Sequence, residues 1–305
     1  MNTKIIDIET SSIELCTIGD NGPVVVLETG MGCSFYEWSN IAYEISKVAR
    51  VILCHREGYG NSALTTNKCT SLRIAKNLKL VLEKENITEP IILVGHSFGG
   101  MCALHFTKLF PAYVSGLVLV DSSPIEMYKV EELKRSLPSI QSTYPTVKAL
   151  ERMRHMGSMS EEQIIEEVNP KLAPWQLKFP ATIQDKIKDF IRKSDLYKAT
   201  ASELENMIAS GKEIEDLGSM DLGIPLKVLG RDGKLEINNL INAGITESEA
   251  TTFENLLQEL NKSKALYSSK GEFTLVNGTG HNIHQYCPEI IVEKVLEVVN
   301  QINKQ

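Results

Sequence analysis

The chain has 305 residues, enough for one large domain with an insertion or for two modest ones. An apolar share of 42%, a charged share of 23% and a net charge of −7 are those of a globular protein and exclude nucleic acid as the main partner. No stretch approaches the apolar length of a membrane span, and the first residues lack a signal-peptide core, so a cytoplasmic protein is expected. Six scattered cysteines without C-x-x-C pairs read as reduced packing residues, and no cluster has metal-ligand spacing.

In chain order, Ile5–Ile8 and Ile13–Thr17 alternate as two short strands, and the turn Asp20-Asn21-Gly22-Pro23 leads into a buried strand at Val24–Leu27. A helix is predicted over Tyr36–Lys47, a strand over Val51–Cys54, and a helix over Ser71–Lys84 with Ile74, Leu78, Val81 and Leu82 on one face. The strand Ile91–Val94, a helix over Phe98–Phe110 and the strand Gly116–Val120 follow. This alternation implies a parallel sheet covered on both faces. From about residue 125 to residue 223 the β-branched runs disappear. Helical stripes such as Ile183, Ile187, Phe190 and Ile191 take over, as does a capping box at Ser160–Gln163. That stretch is too long for a connection and reads as an inserted helical lid that sets substrate choice. Strands return at Pro225–Leu229 and Phe273–Val276, and Pro288 opens a closing helix.

The strand at Ile91 empties into Gly95-His96-Ser97-Phe98-Gly99, a G-x-S-x-G turn that projects a serine at the top of a sheet. A serine hydroxyl needs a general base and a trap for the tetrahedral oxyanion. The base candidate is His281, in the Gly-rich loop Gly278–His284 after the last strand; His284 reads as structural, and His96 is expected to point the other way on the turn. The oxyanion donors are expected to be the backbone N–H groups of Phe98 and Met31, with Gly30, Phe35 and Trp38 lining a substrate pocket.

These pieces resemble the α/β-hydrolase fold superfamily over nearly the whole chain. The resemblance rests on Val25–Gly32, His55-Arg56-Glu57-Gly58-Tyr59-Gly60-Asn61-Ser62, Gly95–Gly100, Leu117–Asp121 and Gly280–Pro288. It implies a mostly parallel eight-stranded sheet flanked by helices, with a helical cap inserted between strands six and seven. The corresponding division is 1–124 core, 125–223 cap and 224–305 core. The chain departs from the family pattern where Thr29 replaces the usual His before the oxyanion loop and His55 the usual Asp; both departures are expected to change pocket lining rather than the backbone donors. The resemblance places the triad acid either at Asp232, beyond the seventh strand, or at Asp121, ending the sixth. The loop at Gly230-Arg231-Asp232 is shorter than usual, which favours Asp121. It implies a cofactor-free serine hydrolase of small or medium ester- or lactone-type acyl substrates. The alternatives are acyl transfer or C–C hydrolysis by the same triad, and a non-catalytic ligand-binding protein.

Overall fold

The computed structural model describes residues 1–144, 146–169, 171–219 and 221–304. Strands β1 (Thr3–Ile8) and β2 (Ser11–Ile18) form an antiparallel hairpin. With β3 (Val24–Glu28), β4 (Arg50–Cys54), β5 (Ile91–His96), β6 (Val114–Val120), β7 (Leu226–Arg231) and β8 (Gly271–Val276) they build an eight-stranded sheet. Its order is β1-β2-β4-β3-β5-β6-β7-β8, antiparallel at the first two pairings and parallel from β4 to β8.

Helices α1 (Ser39–Ile45), α2 (Ser71–Lys84) and α3 (Phe98–Leu109) connect the early strands. Between β6 and β7 lies the cap, made of α4 (Met127–Ser136), α5 (Pro138–Thr143), α6 (Thr146–Gly157), α7 (Glu161–Val168), α8 (Ala181–Ile191) and α9 (Ser194–Asp216). The chain then adds α10 (Gly233–Asn242) and α11 (Glu247–Ser263) before β8, and ends with α12 (Ile283–Tyr286) and α13 (Pro288–Ile302). No described helix is long and apolar enough to cross a membrane.

The central strands are continuous apolar runs because helices cover both faces. Val24, Val26, Ile52, Leu93 and Leu117 pack on the α2–α3 side, whereas Val25, Leu27, Val51, Val94 and Val118 pack on the α1–α13 side. This two-residue alternation holds one register across β3, β4, β5 and β6. The chain leaves β3 toward β4 on one side and returns to β5 on the other, so the carboxyl ends of β3 and β5 flank a topological switch point, where parallel α/β sheets place their ligands.

Two local readings change. The helix expected over Tyr36–Lys47 begins as a 3-10 turn at Phe35–Trp38, because the Ser34 hydroxyl accepts the Tyr36 N–H and its carbonyl the Glu37 N–H; the α-helix starts only at Ser39. The α10–α11 pair, capped by Asp232 and Thr246, had no counterpart in the strand-by-strand reading.

Helix α3 lies directly on the end of β3. A Cβ on Gly99 would fall 2.3 Å from the Thr29 carbonyl oxygen and 2.4 Å from that of Glu28, both backbone atoms that cannot swing aside. Gly99→Ala is expected to cost about 1–3 kcal/mol, the usual range for overpacking, read as a lower urea midpoint with unchanged slope. A variant as stable as the parent would show that α3 is free to move off β3.

Candidate active site

Ser97 joins β5 to α3 at φ 53° and ψ −124°, a left-handed conformation for a residue with a side chain. Its N–H donates to the Val120 carbonyl at 3.2 Å, and its own carbonyl accepts the Ser123 N–H at 2.9 Å. The elbow is thus stitched to the end of the neighbouring strand. On its other side, Gly30 packs so closely that an added Cβ would sit 3.3 Å from the Ser97 Cβ.

The Ser97 Oγ lies 3.0 Å from His281 Nε2, and His281 Nδ1 lies 2.6 Å from Asp121 Oδ2. A carboxylate accepts only, so the ring proton belongs on Nδ1, and Nε2 is left to accept the serine proton. The His281 loop is held from three directions. His96 Nε2–H donates to the His281 carbonyl at 3.0 Å, the His281 N–H donates to Glu236 Oε1 at 3.2 Å, and Asp232 Oδ2 accepts the Gly278 N–H at 3.0 Å. Burial, with His281 beside it, pushes the His96 imidazole down to about 3, so His96 works as a neutral donor.

Asp121 is buried at the end of β6 and has four donors around it. Besides His281, Arg231 Nη1 lies 2.9 Å from Oδ2, Asn261 Nδ2 lies 3.0 Å from Oδ1, and the Arg231 N–H lies 3.5 Å from Oδ1. Burial alone would raise this carboxyl; the Arg231 guanidinium and His281 overcome it and hold Asp121 well below the usual carboxylate range. Arg231 is balanced in turn by Glu254 through bonds of 3.1 and 2.7 Å. Beneath them, buried Lys264 donates to the Ser122 carbonyl and to Asn261 Oδ1. Burial pushes its ammonium down to about 7, against the opposing pull of Asp121 and Glu126.

The sequence-predicted residues divide into those the fold brings together and those it does not. Ser97, His281 and Asp121 meet at the carboxyl ends of β5 and β6, and Gly30, which follows β3, lies against Ser97. Asp232 does not reach His281. Its Oδ1 caps α10 through Lys234 and Leu235, and its Oδ2 ties the β7 loop to the β8 loop. Phe35 and Trp38 are core residues rather than pocket lining. Both point from the 3-10 turn into the α1–α13 face, Phe35 stacked on His55 at 3.7 Å and Trp38 on His284 at 4.9 Å. His55 is likewise buried, bonded through Nδ1 to Glu14 at 2.7 Å, and takes no part in the pocket. His96 faces His281 instead of turning away from it.

The cavity that opens on Ser97 and His281 has a volume of about 250 Å³ and an apolar wall of Pro124, Met127, Val130, Met207, Phe253 and Leu257. Glu131 and Lys134 add charged groups to its lining. Helix α11 also contributes Glu254 and Asn261 to the charge network, so it serves both pocket and acid. The spacing of Ala250, Phe253, Leu257 and Leu260 carries the helical signal that would have found it.

The family model described as alpha/beta hydrolase fold matches residues 23–212, well over half of the chain. A Haemophilus influenzae protein provisionally named an esterase/lipase is 21% identical over 92% of this chain and 84% of its own. Several other curated relatives match over less than a third of their own length. Among solved structures, a thermophilic esterase from Thermogutta terrifontis superposes with a TM-score of 0.64, 19% identity and 99% coverage of both chains. A laboratory-evolved potato epoxide hydrolase does so with a TM-score of 0.68 and 15% identity, covering 98% of this chain and 99% of the other. At these identities the likeness is one of fold.

Lys264 predicts a pH dependence of stability. Its folded value near 7 lies below the value of about 10.4 for free lysine, so between the two the unfolded chain binds the extra proton and stability rises with pH. The stability of the parent relative to Lys264→Met should therefore grow from pH 7 to pH 9, by up to about 1.4 kcal/mol per pH unit in urea titrations. A difference that stays flat over this range would remove Lys264 as the titrating group.

Proposed function

We propose that this chain, which belongs to the alpha/beta hydrolase fold family and is an enzyme of that fold, hydrolyses small or medium carboxylic esters through an acyl-enzyme on Ser97. The observation that carries this reading is the relay of Ser97 Oγ, His281 Nε2 and Nδ1, and Asp121 Oδ2 at 3.0 and 2.6 Å. His281 takes the serine proton as Oγ attacks the ester carbonyl, then delivers it to the leaving alcohol. A water molecule, activated by the same imidazole, releases the acid. Asp121 keeps the ring in the productive tautomer and stabilises the imidazolium; its depressed pKa means that it is ionised whenever His281 is being charged.

The oxyanion falls to the N–H groups of Phe98 and Met31. As the first residue of α3, Phe98 has no acceptor for its N–H within the helix. Met31 N–H has no backbone or side-chain acceptor among the described residues. The cavity of about 250 Å³, lined by apolar side chains with several polar groups among them, suits a short or medium acyl group.

An aspartate nucleophile is the rival chemistry, raised by the epoxide-hydrolase likeness. The elbow position holds Ser97, and the carboxylate of Asp121 stands behind the imidazole with its oxygens committed to His281, Arg231 and Asn261. That arrangement favours serine. The reaction itself needs only hydroxyl, imidazole and water.

A fluorophosphonate probe should label the parent at Ser97 and leave Ser97→Ala unlabelled, with kcat/KM on a nitrophenyl ester down by about 10³-fold or more. Turnover retained in the alanine variant would remove Ser97 as nucleophile. Asp121→Asn should lose activity on the scale of about 10⁴-fold, the loss seen when a triad acid becomes an amide, whereas Asp232→Asn should stay within severalfold of the parent. The reverse ranking would reassign the acid.

A further inference from the structure

Glu203 lies on α9, inside the cap, and is fully buried. Two core residues meet its carboxylate. Arg56 Nε donates to Oε1 at 2.8 Å, and the Tyr59 hydroxyl donates to Oε2 at 2.6 Å. Each of these residues also grips the loop after β3. Arg56 Nη1 donates to the Thr29 carbonyl at 2.8 Å and Nη2 to the Gly30 carbonyl at 3.0 Å, while the Tyr59 hydroxyl accepts the Gly32 N–H at 2.7 Å.

The Gly30 carbonyl and the Met31 N–H belong to one planar peptide, so pinning the carbonyl on one side sets the direction of the N–H on the other. The bond at Gly32 fixes the next peptide, and Met31 is clamped from both sides. We propose that Glu203 is a positioning residue that aims the Met31 N–H at the oxyanion from within the cap, through Arg56 and Tyr59. The proposal rests on the ester-hydrolase reading above and extends it.

The second carboxylate near Arg56 does not duplicate this role. Glu28 approaches Nη1 only to 3.7 Å, and burial, opposed by Arg56, pushes it up to about 7. Glu203 alone among the described residues bonds both arms. The cap therefore does more than select substrate: one of its carboxylates holds a catalytic loop of the core.

Glu203→Gln tests the role in the full-length protein. The amide still offers Arg56 an oxygen, but its NH₂ faces the Tyr59 hydroxyl as a donor, so the short bond from that hydroxyl to a carboxylate is lost and Arg56 loses its counter-charge. With rates normalised to titrated active sites on nitrophenyl butyrate, kcat should fall about 10- to 100-fold, less than or equal to the loss of a whole oxyanion donor. KM should move by less than about threefold, as for an interaction made only in the transition state. Affinity for an alkyl trifluoromethyl ketone, whose adduct with Ser97 places an oxyanion in the same hole, should weaken by a factor matching kcat. A merely structural glutamate would lower the melting temperature and leave kcat per site and ketone affinity unchanged, which would overturn the proposal. Should Glu203→Gln not fold, Tyr59→Phe decides: it severs one arm only and should reduce kcat and ketone affinity together by about 3- to 10-fold, while parent-like values for both would overturn the proposal. A parent protein that neither hydrolyses the ester nor captures the ketone would instead defeat the ester-hydrolase reading itself.

Discussion

Ser97 is held in a backbone region that costs an L-residue roughly 1–3 kcal/mol, and much of the surrounding structure is what keeps it there. Strain of this kind persists only where neighbours leave no alternative. Here β5 is central in the sheet, the Ser97 N–H and carbonyl are bonded to Val120 at the end of β6 and to Ser123 just beyond it, and α3 is pressed onto β3. A Cβ on Gly95 would lie 2.6 Å from the Gly100 Cα, which shows how little room the turn has to relax. The gain is direction: the hydroxyl leaves the sheet edge along a line that meets the imidazole at 3.0 Å.

The charges under the site follow from that placement. An imidazole that becomes cationic during turnover needs a fixed anion, and a buried anion needs cations and donors of its own. Asp121 has Arg231, Arg231 has Glu254, and Lys264 props the backbone and the amide that hold Asp121. Removing one partner from such a buried set costs about 3–5 kcal/mol because the remaining charge is stranded. The network therefore couples stability to the same carboxylate that serves His281.

Much of this was readable without coordinates. Strand alternation located the sheet, the loss of β-branched runs located the cap, and a serine between two glycines after an apolar strand marked the elbow. His281 stood out in its Gly-rich loop, and a short loop after the seventh strand argued for Asp121 over Asp232. The pocket was not readable. Phe35 and Trp38 look like ligand-facing aromatics because they follow the Gly-rich loop after β3, yet a 3-10 turn rotates them into the core. The true wall comes from α4, α9 and α11, far apart in the chain, and only packing decides which residues of those helices face Ser97. Arg56, Tyr59 and Glu203 were equally hidden, since their pairing joins positions 147 and 144 residues apart.

The helical insertion between β6 and β7 also sets the order in which the chain can be made. Strand β6 pairs with β7 along its open edge, but 110 residues separate Asp121 from Arg231. At about 5–20 residues per second, synthesis leaves that edge unpaired for on the order of 5–20 s after β6 emerges. During that interval Leu117–Val120 presents an apolar strand with free backbone groups, the kind of surface that pairs with other chains. A cap that folds promptly shortens the spatial gap that β7 must close, and with it the time for which that edge stays open.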